Sequence, residues 1–472
     1  MIAALLHERL TRLPDRPALV EAGGRTWSAG ELDRTALRWA HVLAGRKRVG
    51  LIADNGLELA GALLGVLYAG AAVVPFHAST PPLEVQARMQ RFGVDLLLAG
   101  DAALGAAIDM HGERAEAVSA VEPEAPALLL GTSGTTGEPR AVVVTQRGLA
   151  THAQALVATT GLGPDDRVLA MLPLAHSYGC RMAFIVPLLA GACVVMARRF
   201  AGLRTLEILR EQHITWAPVV PTMLSAWAAV PASEASTPDA LRWVLSAGAP
   251  LPEALRLRAE ARIGCVVREG YGLTEASFAT LDAPVASVRP GLVGRPVTGV
   301  EVRLDPTTSE VQLRGANVMA GYLDDADATA AAFTEDGWLH TGDVGALEDG
   351  NLRIVDRIKD IILRGGHTIY PAEVEAVLAR HPLVLAVAVV GRPHAHLGEE
   401  VVAHIVPVRD GSMESLSAWR IALTEWSSRW LAPHKVQSDV VLHAELPLGP
   451  SGKVLKRRLR AGFGLPEEDS GR

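Results

Sequence analysis

Between residues 48 and 98, short runs of apolar, β-branched residues alternate with longer Ala- and Leu-rich stretches. Residues 48–53, 72–75 and 94–98 read as strands, and 57–68 and 83–92 as helices. That alternation predicts βαβ units. A second set of strand-like runs follows at 167–172, 192–196, 214–220 and 243–246, so two related α/β layers are expected. From about Val293 the texture changes to strand and turn: 300–304, 310–314, then 344–347 and 352–355 across the turn Glu348-Asp349-Gly350. A small barrel-like appendage fits that pattern. Pro371 opens a helix with Val374, Val377 and Leu378 on one face. The strand-like run 384–390 follows, and together they begin a smaller α/β domain.

At 472 residues the chain exceeds one core of ordinary size. Two apolar runs test a membrane assignment. Residues 59–76 are long enough, but Gly61, Gly65, Gly70 and Pro75 punctuate them, which reads as helix, glycine stop and buried strand. Residues 182–197 contain Pro187 and end in Arg198-Arg199, again a core pattern. No membrane partner is expected. The formal charge of −7 argues against a general nucleic-acid binder, so anionic ligands must be held locally. Cys180, Cys193 and Cys265 are too few and scattered for a disulfide framework or zinc site, and a reducing cytoplasm fits best.

Four segments carry chemistry. Residues 128–142 break from an apolar run into Gly131-Thr132-Ser133-Gly134-Thr135-Thr136-Gly137. The glycines let successive N–H groups converge on anionic oxygens and the hydroxyls add donors, although the spacing G-x-x-x-x-G-K-[ST] is absent. Residues 268–275 place Tyr271 between two glycines, with Thr274 and Glu275 beyond. The ring can stack on a base, Thr274 can bond a phosphate and Glu275 can hold Mg²⁺, although such pairs also mark turns and caps. Asp343 follows Gly342, where a carboxylate can accept from two vicinal hydroxyls. Arg357 and Lys359 follow in a charge run that reads equally as a surface ion-pair cluster. Near the C-terminus Lys453 sits on a Gly/Pro loop before a basic helix, which suits a mobile point charge or a solvated basic end. Only five lysines occur in the chain.

In this order and spacing the four segments resemble the adenylate-forming superfamily: acyl- and aryl-CoA synthetases, adenylation domains of peptide synthetases, and luciferases. The resemblance implies an α/β fold with a large N-terminal domain, 1–358, of two layered α/β subdomains and a small β-barrel-like part. A small mobile α/β domain, 359–472, would carry the catalytic lysine. Carried over residue by residue, Thr132, Ser133, Gly134, Thr135, Thr136 and Gly137 would grip the β- and γ-phosphates of ATP. Gly248, Ala249 and Pro250 with Tyr271 and Gly272 would bracket adenine. Asp343 and Arg357 would hold the ribose, Thr274 the α-phosphate and Glu275 the Mg²⁺, and Lys453 matches the catalytic lysine. Lys359 matches the hinge, and Gly365 and Gly366 would line the tunnel for the thiol of CoA or of a phosphopantetheine on a separate carrier protein.

The activity so implied is activation of a carboxylic acid to an acyl-adenylate with loss of pyrophosphate, then transfer to a thiol. Segment 172–179 matches the stretch that closes over the acid, with His176 at the carboxylate. Ser177, Met182, Ser246, Gly270, Ser277 and Phe278 are the candidate wall. No Asp stands among residues 174–177 to meet an ammonium, so an apolar or aromatic acid is favoured over an α-amino acid. One departure stands out: the family's Pro-Lys-Gly is Pro139-Arg140-Ala141 here. It leaves open a non-catalytic nucleotide binder, and transfer to an amine is the other alternative.

Overall fold

The computed structural model describes residues 1–101, 104, 117–133, 139–282, 289, 291–408, 415–449 and 454–462. Its two largest sheets are the layers expected from the alternating pattern. One has nine strands, in the order Arg295–Pro296, Ser277–Leu281, Val266–Leu273, Trp243–Ser246, Trp216–Val219, Arg167–Ala170, Cys193–Met196, Pro17–Glu21, Thr26–Ser28. The six strands from Val266–Leu273 to Pro17–Glu21 run parallel. The other has six strands, in the order Gly321–Tyr322, Pro139–Thr145, Pro126–Ser133, Ala72–Phe76, Arg48–Ile52, Leu96–Ala99.

Residues 59–76 form a helix and a buried strand. Every residue of helix Leu57–Tyr68 except Glu58 is buried, as an all-apolar helix in a core must be. Gly65 makes this possible, because a Cβ there would lie 2.0 Å from Trp39 Cβ on the neighbouring helix Ala29–Val42. Among the described residues no helix is long and apolar enough to cross a membrane. Residues 182–197 pack inside as a π-helical turn Gly179–Ile185, helix Val186–Ala190 and strand Cys193–Met196, all three buried.

The expected appendage is a four-stranded antiparallel sheet, Val300–Leu304, Glu310–Gly315, Leu339–Glu348 and Asn351–Arg357. Its third strand starts five residues earlier than the apolar pattern indicates, because Leu339 and His340 pair with Leu313 and Gln312. Asp343 therefore lies inside a strand. A separate five-stranded sheet follows, built from Ile362–Arg364, His367–Ile369, Val384–His394, Gly398–Pro407 and Asp439–Leu442. The main apolar core ends at Leu352, and the cores formed on this last sheet begin at Ile362.

Candidate active site

Strand Arg167–Ala170 lies between Cys193–Met196 and Trp216–Val219, so chain order reverses at its carboxyl end, where open α/β sheets hold ligands. Segment 171–179 leaves from that end. Asn55 pins it: the buried amide donates to Ala170 O at 3.3 Å and Leu172 O at 2.9 Å, and accepts from Leu174 N–H at 3.0 Å. His176 follows, its Nδ1 accepting from Tyr178 N–H at 3.2 Å, which leaves the neutral ring's proton on Nε2. Asn55 escaped the sequence reading because Asp54-Asn55-Gly56 reads as an ordinary turn. Asn55→Ala strands two carbonyls and one N–H, and should lower stability by about 1–3 kcal/mol in denaturant titration. The loosened loop should also raise KM for the acid more than KM for ATP.

Ser177, Met182, Ser246, Ser277 and Phe278 are all buried. Tyr178 donates its hydroxyl to Leu245 O at 2.7 Å and packs its ring 5.1 Å from that of Phe278. Gly270 is needed for this wall, since a Cβ there would meet Phe278 Cε1 at 2.7 Å. Among the described residues, the buried hydroxyls of Ser246 and Ser277 have no hydrogen-bond partner.

The hairpin of Val266–Leu273 and Ser277–Leu281 pinches at Gly272, where a Cβ would fall 1.8 Å from Ser277 O, and Ser277 adopts φ +49°. Thr274 and Glu275 stand in its turn. Asn317 Nδ2 donates to Ala276 O at 2.6 Å and Met319 N–H to Glu275 O at 2.7 Å, which fix that turn. Next to this hairpin, Ser246 pairs with Glu269, so Gly248, with φ +89°, Ala249 and Pro250 leave the adjacent strand end.

Tyr271 donates its hydroxyl to Asp343 Oδ2 at 2.6 Å, and Arg357 Nε lies 3.1 Å from Asp343 Oδ1. Asp343 and Arg357 face each other across their strands. Burial, then the charge of Asp343, pushes the Tyr271 hydroxyl well above its ordinary value. Burial alone would lower Arg357, but Asp343, Asp360, Tyr271 and Glu275 outweigh it and hold the guanidinium charged. Tyr271, Asp343 and Arg357 are thus one connected unit.

Thr132 and Ser133 end strand Pro126–Ser133, opposite Arg140 and Pro139 of Pro139–Thr145. Gly134, Thr135, Thr136 and Gly137 lie outside the described residues, as does Lys453. Arg140 Nε lies 3.5 Å from Asp325 Oδ2, and its guanidinium carbon 5.5 Å from the Tyr322 ring centre. Tyr322 in turn donates to Glu275 Oε1 at 3.2 Å. Sequence reasoning missed Tyr322, which reaches this place only because the two-residue strand Gly321–Tyr322 pairs with Pro139–Thr145.

Lys359 occupies a single 3-10 turn, Ile358–Asp360, directly after Arg357. Arg460 donates to Lys359 O at 3.0 Å and pairs with Asp360 at 3.5 Å. Asp356 accepts from Ala372 N–H at 2.7 Å. Gly365 and Gly366, with φ +57° and +80°, form the tip of the next hairpin. The flanks of the lysine loop are tied by a Leu448–Val454 bridge and by Leu455 N–H donating to Pro447 O at 2.8 Å.

Residues 6–323 match the family of AMP-binding enzymes and 373–453 the AMP-binding enzyme C-terminal domain. The chain is similar to the sulfoacetate–CoA ligase of Cupriavidus necator, 34% identical over 97% of each chain. It is 32% identical to the feruloyl-CoA synthase of an Amycolatopsis species, over 97% of this chain and 98% of that one. ATP-bound MatB from Rhodopseudomonas palustris superposes with a TM-score of 0.87 at 27% identity, over 98% and 99% of the two chains.

Proposed function

The chain belongs to the AMP-binding enzyme family of the adenylate-forming superfamily, and from that premise we propose how its residues divide the work of an AMP-forming acid–CoA ligase. The family's ligases activate an acid with ATP and pass it to CoA. The observation that carries the assignment is the Tyr271–Asp343–Arg357 unit meeting the Arg140–Tyr322–Glu275 chain at one hairpin turn. Tyr271 stacks on adenine while Asp343 and Arg357 hold the ribose hydroxyls. Thr274 bonds the α-phosphate, the 132–137 loop takes the β- and γ-phosphates, and His176 Nε2–H orients the acid's carboxylate.

Two anions must meet at the α-phosphorus, so the barrier is mainly electrostatic. Glu275 is a hard oxygen donor beside a phosphate-binding turn. One carboxylate plus substrate phosphates is the donor set that Mg²⁺ prefers, so the residues fit that ion. When bound, Mg²⁺ would neutralise phosphate charge. Lys453, delivered by a domain beginning at residue 359 and turning about Lys359, supplies the second positive charge. The same turn would then bring Gly365 and Gly366 to the site to admit a thiol, that of CoA or of a carrier-borne phosphopantetheine.

Arg140 takes the part of the family's lysine. Its fork is held by Asp325 and Tyr322 on the strand opposite Thr132, so the positive charge is kept there without the compact ammonium of the family's lysine. Arg140→Ala should raise KM for pyrophosphate in the exchange reaction about tenfold, the worth of one charge-assisted hydrogen bond. Because the Asp325 pair is part-exposed, the melting temperature should change little.

For the acid we propose an apolar or aromatic body lying on Phe278, Tyr178 and Met182, with Ser246 and Ser277 offering hydroxyls to a polar substituent. The two relatives' acids, sulfoacetate and ferulate, both carry polar groups away from the reacting carboxylate. CoA-stimulated release of AMP, set against amine-stimulated release, tests the acceptor.

A further inference from the structure

One buried charge stands outside the groups assigned to ATP and the acid. Arg181 stands in the buried π-helical turn Gly179–Ile185, four residues after Ser177, and is 4% exposed. Among the described residues it has no hydrogen-bond or ion-pair partner, and its Nε is buried and unpaired. The one ionisable group among the described residues that favours its charge is the thiol of Cys180, itself pushed up to about 12 by burial and so neutral. Burial draws the Arg181 guanidinium down only to about 10, so it remains charged at neutral pH.

Arg181 lines a cavity of about 10 Å³ with His152, Asn317, Gly148, Leu149 and Ile185. Two further polar atoms of these lining residues are orphans, His152 Nε2 and Asn317 Oδ1. His152 hydrogen-bonds the backbone of Phe278, the ring of which packs on Tyr178. His152 is thus the link between the cavity and Phe278 of the wall assigned to the acid. Burial, and then the charge of Arg181, lowers His152 to about 3, so it cannot serve as a second cation while the cavity is empty of charge.

A water bridging Arg181 to Asn317 would satisfy hydrogen bonds but leave the charge uncompensated. A buried, unpaired cation is costly in a way that a single neutral dipole does not cure. The void admits about one oxygen-sized atom. We propose that Arg181, with His152 and Asn317 around it, is a buried receptor for one anionic atom. That atom is the far oxygen of a second carboxylate or sulfonate on the acid substrate, or a small free anion. The first source rests on the ligase reading above and narrows its substrate class to acids with a second negative group.

The test uses matched acids that differ only in that group, succinate against butyrate and isophthalate against benzoate, in acid-dependent ATP–pyrophosphate exchange. In parallel, the melting temperature of the wild-type chain is followed in fluoride and in chloride against gluconate of equal ionic strength. The expected result is at least a tenfold preference in kcat/KM for the doubly anionic member of a pair. Arg181→Met should abolish that preference, and Arg181→Lys should keep part of it. No preference among acids, with a saturable rise in melting temperature in fluoride or chloride that Arg181→Met removes, would assign the site to a free anion.

Neither preference nor stabilisation in the wild type would overturn the proposal, whether or not the variants fold. Exchange with any acid leaves the ligase reading standing whichever way the pairs divide, so the two claims fail separately.

Discussion

Lys453→Ala should slow acid-dependent pyrophosphate exchange about 10²–10³-fold, equivalent to ~3–4 kcal/mol of transition-state stabilisation. It should leave conversion of supplied acyl-adenylate and CoA to thioester within a few-fold of wild type. The split follows from the division of labour proposed for the two domains. Negative charge spreads over the α-phosphorus only in the first half-reaction, and one ammonium delivered there is worth most where water is excluded. Lys453 belongs to a loop with bridged flanks, between Leu448 and Val454, so alanine changes the charge without releasing the loop's base. Equal losses in both half-reactions would contradict a residue that serves one of them.

Asp343→Ala is the second large effect. Asp343 is buried and accepts from Tyr271 while pairing with Arg357, so its removal strands a buried hydroxyl and half of an ion pair. If the carboxylate also takes both ribose hydroxyls, two charge-assisted bonds are lost, and KM for ATP should rise by roughly 10²-fold or more. Tyr271→Phe separates structure from binding. It keeps the ring against the base and loses one hydroxyl, so it should cost about 1–2 kcal/mol of stability and less than tenfold in KM for ATP. A Tyr271→Phe effect on KM as large as that of Asp343→Ala would mean that the carboxylate acts through the tyrosine alone.

The parts of the fold that were legible in the sequence are those in which burial is decided locally. Helix Leu57–Tyr68 and strands Arg48–Ile52 and Trp243–Ser246 are apolar runs punctuated by glycine or polar residues, and they stand where the pattern puts them. Asp343 was legible as chemistry but not as structure. Its strand begins at Leu339 because of cross-strand pairing with Leu313, which no local period records.

The site divides in the same way. Tyr271, Glu275 and Asp343 announce themselves as polar groups close to glycines, whereas Arg357 stands in a charge run that reads equally as a surface ion-pair cluster. Tyr322 and Asn55 matter only for what the fold brings beside them, a carboxylate in one case and three backbone groups in the other. Arg181 falls between segment 172–179 and the apolar run 182–197, and neither pattern reaches it. Nor does the sequence reveal that, among the described residues, no counter-charge is buried with it.

The central claim is acid activation at the joined Tyr271–Asp343–Arg357 and Glu275–Tyr322–Arg140 groups, and ATP–pyrophosphate exchange tests it most directly. The panel would hold benzoates, hydroxycinnamates, short and medium fatty acids, dicarboxylates and sulfocarboxylates, with purified protein and Mg²⁺. Exchange should depend on at least one acid and fall at least 10²-fold in Lys453→Ala. Bound ATP with no exchange above the acid-free background for any member of the panel would contradict that claim.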